Sequence, residues 1–259
     1  MKKLLKKIIP KTILQKYGKY KKGKITKPYS GKGVVCPICS SEFKYFAPYG
    51  VSPRNNAKCY TCGSLERDRL LWNYFHEKVP FFKNNTKGRV LHFAPEKVFY
   101  QLLDANKHIE YVPCDLIPER FKFVKNTPIT KADITNIPFE DNTFDFIICN
   151  HVLEHIPDDS LAMAELFRVM KKGGQGIFQV PIDYDREVTY EDFSITTPEG
   201  REKAFGQNDH VRWYGLDYKN KLEDSGFKVD VDDYVKSFSP KELKKYGFVS
   251  TELIYNCSK

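Results

Sequence analysis

No run of apolar residues in this chain approaches the ~18 that a membrane-crossing helix needs, so the body reads as soluble. The first 41 residues contain no aspartate, glutamate or arginine, yet they hold twelve lysines. The formal net charge of +9 therefore belongs to this leading stretch, because the rest of the chain carries 30 lysines and arginines against 33 aspartates and glutamates. A body built as a broad basic surface for nucleic acid is disfavoured by that balance. The tail also lacks the features of a secretory signal: paired lysines interrupt each apolar pair, and neither an h-region nor a small-residue cleavage site follows. Seven cysteines without such a signal argue for a reducing cytoplasm and against a disulfide framework.

The tail reads "MKKLLKKIIPKTILQKYGKYKKGK". Leu4, Leu5, Ile8, Ile9 and Ile13 recur at helical spacing, and Pro10 is expected to split the stretch into two short helices. Such a segment can lie on an anionic membrane, where each lysine contributes about 1 kcal/mol. That would place the protein peripherally on the inner face of the membrane. A solvated terminus and a basic arm for nucleic acid are the other readings.

Cys36-Pro-Ile-Cys39 and Cys59-Tyr-Thr-Cys62 are two C-x-x-C units separated by nineteen residues. Two such turns brought together supply the four sulfurs that tetrahedral zinc takes in a closed site. With all four positions thiolate, none is left for water, and the metal is expected to be structural. Cys114, Cys149 and Cys257 fall inside apolar runs and are expected to be buried free thiols. After Cys62, "GSLERDRLLWNYFHEK" predicts a helix capped by Ser64 with Glu66 in its first turn. Its stripe of Leu70, Leu71, Tyr74 and Phe75 is expected to dock the module on the main domain. Between the cysteine pairs only Lys44, Arg54 and Lys58 are basic, so no dense basic surface is evident.

From Arg89 onward, short β-rich runs alternate with helical stretches. The pattern predicts an α/β fold: a mostly parallel, seven-stranded Rossmann-like sheet with helices on both faces, preceded by a small zinc-ribbon-like module. Strands are expected near 89–93, 109–114, 129–132, 144–150, 176–180, 227–231 and 249–256. The expected division is a basic tail (1–33), a cysteine module with its docking helix (34–86) and the sheet domain (87–259). "FDFIIC" is almost wholly apolar, as a central strand should be. Between the fourth and fifth strands, Ser160 is expected to cap a helix carrying Met163, Phe167 and Met170, closed by Lys171, Lys172 and Gly173. In such sheets ligands bind outside the carboxyl ends of the strands. Glu96, Asp115 and Asp133 stand at or beyond the first three ends. An acid after the second strand can accept hydrogen bonds from both ribose hydroxyls of an adenosine ligand, and a turn or cap is its other reading.

"DITNIPFEDNTFDFIICNHVLEHIPDD" followed by "ELFRVMKKGGQGIFQVP" makes the chain from Arg89 to Asn256 resemble the class I S-adenosylmethionine-dependent methyltransferases. The whole chain is also similar to a bacterial subgroup in which a four-cysteine module precedes that domain, sharing "CGSLERDRLLW", "LHFAPE" and "FGQNDHVRWYG". The resemblance implies that Asp115, with Leu116 beside it, meets the ribose. It implies that Asp133 and Ile134 flank the adenine, and that Asn150 with His151 borders the methionine part. The chain departs from the family in "VLHFAPE", where an acid is usual in place of His92 and glycines in place of Ala94 and Glu96. Glycines there let the backbone approach the cofactor without a Cβ in the way. Ala94 gives up little space, Pro95 can occupy the first helical position, and Glu96 in the first turn can pair with the cofactor's ammonium. The turn is thus expected to bind by an altered set of contacts, with Glu96 as a mere first-turn acid the competing reading.

"HVLEH", His151 to His155, also matches the zinc-protease pattern H-x-x-E-H, which requires one continuous helix. A strand ending at Asn150 and a proline at 157 disfavour that helix. For methyl transfer to a hydroxyl the candidate catalytic bases are His155 and His210. His210 lies in the long connection between the fifth and sixth strands, a natural substrate cover. Its neighbours Asp209, Arg212, Trp213 and Tyr214 suit a sugar or an anion, or else form a structural loop. The sequence therefore reads as a methyltransferase with a structural zinc, acting on an oxygen or nitrogen of a small-molecule or glycan-type acceptor. The alternatives are an RNA methyltransferase that uses its zinc module on RNA and a non-catalytic binding protein with a degenerate cofactor site.

Overall fold

The computed structural model describes residues 29–50 and 53–259. The helices expected in the lysine-rich tail lie outside the described residues. Among the described residues, no helix is long and apolar enough to cross a membrane. The chain forms two units. One combines the described residues before Gly88 with Glu96–His108 and Asp233–Leu253; the other combines Gly88–Pro95, Ile109–Asp232 and Ile254–Lys259.

In the first unit, β1 (Ser30–Val35) pairs antiparallel with β2 (Glu42–Phe43), and β3 (Ala47–Tyr49) with β4 (Arg54–Lys58). The two cysteine turns close in the same way. Ser40 N–H donates to the Cys36 carbonyl and Gly63 N–H to the Cys59 carbonyl, with Ser40 and Gly63 at φ of 58° and 79°. Helix α1 (Glu66–Glu77) follows. Its cap is Leu65 rather than Ser64: Asp68 Oδ2 accepts from the Leu65 N–H at 2.8 Å. Ser64 is drawn inward instead, its hydroxyl lying 3.4 Å and 3.2 Å from the sulfurs of Cys36 and Cys62. Burial, and then the charge of Glu96, push the Asp68 carboxyl up to about 6.

The stripe of Leu70, Leu71, Tyr74 and Phe75 is buried, as the pattern predicts. Phe75 stacks on Phe82 of α2 (Pro80–Lys83) and meets Phe99 of α3 (Lys97–Leu103), while Tyr74 meets Tyr234 edge-on. Arg69, on the same helix, is wholly buried. Its guanidinium donates to the carbonyls of Ala57 (2.8 Å), Ser64 (2.9 Å), Tyr246 (2.7 Å) and Gly247 (2.8 Å) and lies 4.0 Å from the Phe46 ring centroid. Gly247 ends the helix Pro240–Tyr246 at φ 62°, and a Cβ there would stand 2.7 Å from Arg69 Nη2. The cysteine turns, α1 and this distant helix are thus fastened by one side chain.

The second unit holds the sheet. Its strands are β5 (Gly88–Phe93), β6 (Ile109–Asp115), β7 (Thr130–Lys131), β8 (Phe144–Asn150) and β9 (Met170–Gln179), then β12 (Lys228–Asp232) and β13 (Ile254–Ser258). A separate ribbon pairs β10 (Tyr190–Glu191) with β11 (Arg212–Trp213). The sheet order is β12-β13-β9-β8-β5-β6-β7, with β13 antiparallel to both neighbours and β5 to β9 mutually parallel. The chain runs outward from β5 to β7, then returns to the other side of β5 with β8. The order therefore reverses between β5 and β8, where an open α/β sheet has its ligand crevice. Phe144, Phe146, Ile147, Ile148 and Cys149 have no exposure, and large apolar side chains buried in this way contribute about 1.5–3 kcal/mol each.

Helix α4 (Asp159–Val169) departs from expectation at both ends. Asp158 caps it, accepting from Leu161 N–H at 2.9 Å, and Ser160, two residues on, already lies inside the helix. Lys171, Lys172 and Gly173 do not close the helix. They belong to β9, which begins at Met170 opposite Phe144. Gly173, at φ 76°, lies where β9 slips register against β8, so a strand irregularity imitates a helix stop. The last strand is also displaced: residues 250 and 251 turn, and pairing begins at Ile254. Cys114, Cys149 and Cys257 are buried and form no disulfide, and burial pushes Cys114 up to about 12.

Candidate active site and metal centre

The turn after β5 keeps its tight course without glycine. Ala94 takes φ 47° and continues the ladder by donating to the Cys114 carbonyl at 2.9 Å. A left-handed alanine costs roughly 1–2 kcal/mol, so the surrounding sheet imposes a conformation that the sequence does not favour. His92 is fully buried, with Nδ1 3.0 Å from the Tyr111 hydroxyl. Pro95 precedes the helix cap instead of occupying its first position, and Glu96 is the cap itself, outside the first turn. The Glu96 carbonyl accepts from Tyr100 N–H at 2.8 Å, and the residue belongs to the first unit.

Asp115 ends β6 with 4% exposure. Its carboxylate accepts from Ile117 N–H at 2.8 Å and from Arg120 at 2.6 Å, and the arginine reaches in from solvent. Leu116 and Ile117, beside it, stand 55% and 53% exposed. A carboxylate flanked by apolar side chains standing in water is a fit for a ribose and the flat base attached to it. Asp133 is exposed and bound to Thr135, whose N–H and hydroxyl it accepts at 2.9 Å and 2.7 Å; Ile134 is buried. Asn150 ends β8, buried, and His151 follows at φ 55°, donating its N–H to the Gln179 carbonyl at 2.7 Å.

Residues 153–155 form a single 3-10 turn, so the continuous helix of the zinc-protease reading is not formed. The turn instead brings His155 against His210, fifty-five positions away in the chain, with ring centroids 4.8 Å apart and planes at 82°. Arg212 clamps this arrangement. It donates to the carbonyls of Leu153 (3.1 Å), Ile156 and Pro157 (2.8 Å), and pairs with Glu191 at 2.9 Å. Val211 N–H donates to the Glu154 carbonyl at 2.9 Å, and Tyr214 to Asp159 at 2.7 Å. Arg212 and Tyr214, which the sequence offers to a sugar or an anion, are therefore buried parts of the scaffold. Glu154 went unremarked in the sequence except as the middle of a protease pattern. It is 2% exposed, with Oε1 3.5 Å from His151 Nδ1 and 3.9 Å from His210 Nε2. Burial alone would raise its carboxyl, but the hydrogen bond with His151 and the nearby imidazoles outweigh it and hold the group below its ordinary value. Burial lowers His210, which is thereby kept neutral at neutral pH.

In the other unit, the sulfurs of Cys36 and Cys62 are 3.6 Å apart, as are those of Cys39 and Cys59, and all four lie within 4.8 Å of one another. Zinc–sulfur bonds of ~2.3 Å at tetrahedral angles put sulfurs about 3.8 Å apart. The cluster has that spacing and not the ~2 Å of a disulfide.

A family profile described as a methyltransferase domain matches residues 97–178. The chain is 39% identical over 56 residues to a demethylmenaquinone methyltransferase of Staphylococcus haemolyticus, a stretch covering 22% of this chain and 23% of that protein. It is 33% identical over 82 residues to a sterol 24-C-methyltransferase of Schizosaccharomyces pombe, covering 31% and 20%. The chain thus spans under a third of the length of these relatives. A solved S-adenosylmethionine-dependent methyltransferase from Archaeoglobus fulgidus superposes with a TM-score of 0.48 at 16% identity, covering 73% of this chain and 93% of that one. Residues 97–178 thus match a methyltransferase domain, and they contribute to a sheet whose order reverses beside β5 and whose β13 runs antiparallel to its neighbours.

Proposed function

We propose that this protein methylates an oxygen or nitrogen of a small or glycan-type acceptor at the carboxyl ends of β5, β6 and β8, and that zinc fills the four-cysteine cluster as a structural ion. The observation that carries the reading is the meeting of His155 and His210 just past the end of β8, beside the sheet's reversal point. S-adenosylmethionine supplies an electrophilic methyl on a sulfonium, and the protein's task is to hold acceptor and methyl in line. Asp115 accepts the ribose hydroxyls once Arg120 swings aside, the exposed Leu116 and Ile117 offer apolar surface to the adenine with Asp133 and Ile134 flanking it, and the backbone at Ala94 and Asn150 borders the amino-acid part. His155 and His210 activate the acceptor. The relatives' names, demethylmenaquinone and sterol, are those of water-insoluble ring compounds, which favours an acceptor met at a membrane over a free nucleic acid. The lysine-rich tail and the mildly acidic body agree with that choice, and a cytoplasmic protein resting on the inner membrane face follows from it.

Methyl-labelled S-adenosylmethionine, incubated with the full chain and a fractionated cell extract, is expected to label the lipid or glycan-precursor fraction, with little dependence on salt. Label confined to RNA and falling steeply as salt rises would overturn this acceptor in favour of RNA.

A further inference from the structure

Glu154, His155 and His210 each offer a ligand atom, and these atoms lie within 4.8 Å of one another. The tautomers follow from hydrogen bonds. His210 Nδ1 lies 3.2 Å from the Phe205 carbonyl and His155 Nδ1 3.2 Å from the Asp209 carbonyl. A carbonyl oxygen only accepts, so each Nδ1 carries the proton and each neutral ring is left with its lone pair on Nε2. Backbone carbonyls that fix Nδ1–H are the usual outer support of a metal-binding imidazole.

His210 Nε2 is buried, makes no hydrogen bond and faces Glu154 Oε1 at 3.9 Å; Glu154 Oε2 is likewise buried and unbonded. Two acceptors thus face each other across a gap too long for a hydrogen bond. Two metal–ligand bonds of ~2.0–2.1 Å at tetrahedral angles put their donor atoms about 3.4 Å apart, so a closure of roughly half an ångström would seat an ion between them. Arg212, nearly unexposed, fixes the turn that carries Glu154 and His155, and the Val211 amide ties the next segment to it, so the three groups are positioned in advance.

We infer that Glu154, His155 and His210 bind a first-row divalent cation, of which zinc is the probe, in a second metal site separate from the cysteine cluster. Two imidazoles and one carboxylate make a borderline donor set that leaves a coordination position open, unlike the closed four-thiolate site. His151 Nδ1, 3.5 Å from Glu154 Oε1, orients the carboxylate. The open position takes an oxygen ligand. That this ligand is the acceptor's hydroxyl rests on the proposed function, whereas metal binding itself does not.

The test is metal stoichiometry of the full chain equilibrated with micromolar zinc and desalted, read by elemental analysis, with the zinc X-ray absorption spectrum reporting the ligand types. The wild type is expected to hold two zinc ions per chain and to show nitrogen or oxygen ligands beside sulfur. His155→Gln, a partly exposed position where the fold should survive, is expected to hold one ion with sulfur ligands alone; Glu154→Gln combined with His210→Asn is expected to do the same. Circular dichroism confirms that each variant is folded. One ion with sulfur ligands only in the wild type, or two ions retained by folded His155→Gln, would overturn the inference, and neither result bears on whether S-adenosylmethionine binds.

Discussion

Arg69→Met is expected to lower the unfolding free energy of the first unit by about 3–5 kcal/mol, the range in which buried, fully engaged polar groups fall when one partner is deleted. The side chain donates to four buried carbonyls, two beside the second cysteine turn and two at the end of the helix Pro240–Tyr246. Methionine fills similar volume but donates nothing, leaving all four acceptors without that partner. Arg69→Lys keeps the charge but not the planar fork, and is expected to recover less than half of the loss. Trp72, buried on the same helix, reports the transition by its fluorescence in urea. A loss below about 1 kcal/mol, the ordinary net worth of a single hydrogen bond, would mean that the clamp is not what joins these segments.

Stripping the proposed zinc from the cysteine cluster is expected to be costlier still. Structural zinc sites contribute about 10–16 kcal/mol of apparent binding energy near neutral pH, and this unit has only short strands of two to six residues around its sulfurs. Without the ion, four buried sulfurs share one pocket. Burial would raise Cys36, but hydrogen bonds from the other three hold it low as a thiolate, while those same contacts push Cys62 up. Chelation should therefore abolish the cooperative transition reported by Trp72, and restored zinc should return it. Since the ligands are thiolates, the metal should leave more readily as pH falls. An unchanged transition in protein shown by elemental analysis to be metal-free would contradict a structural role.

The sheet was legible because its strands are short, β-rich and separated by turn residues, and "FDFIIC" announced its own burial. The cysteine cluster was legible from spacing alone. What escaped was whatever depends on distant segments meeting. Gly173 read as a helix stop because a glycine in a strand irregularity and a glycine after a helix look alike in sequence. Arg212 and Tyr214 read as ligand-binding because nothing local shows that the carbonyls of 153–157 and Asp159 consume them. The sequence marks His155 and His210 separately, but their contact, and Glu154 beside them, requires fifty-five residues of chain to fold back. Ala94 differs again. Its left-handed backbone follows from the turn, and the sequence, lacking a glycine there, concealed it.

The most direct measurement is calorimetric titration of the zinc-loaded protein with S-adenosylmethionine and S-adenosylhomocysteine, repeated with Asp115→Ala. Micromolar binding of both ligands is expected, weakened at least tenfold by the substitution, about 1.4 kcal/mol, if the carboxylate at the end of β6 holds the ribose as proposed. Folded, metal-bearing protein that gives no heat with either ligand would contradict it, and would make the glycine-free turn at Ala94 the mark of a binding protein that keeps the fold without the cofactor.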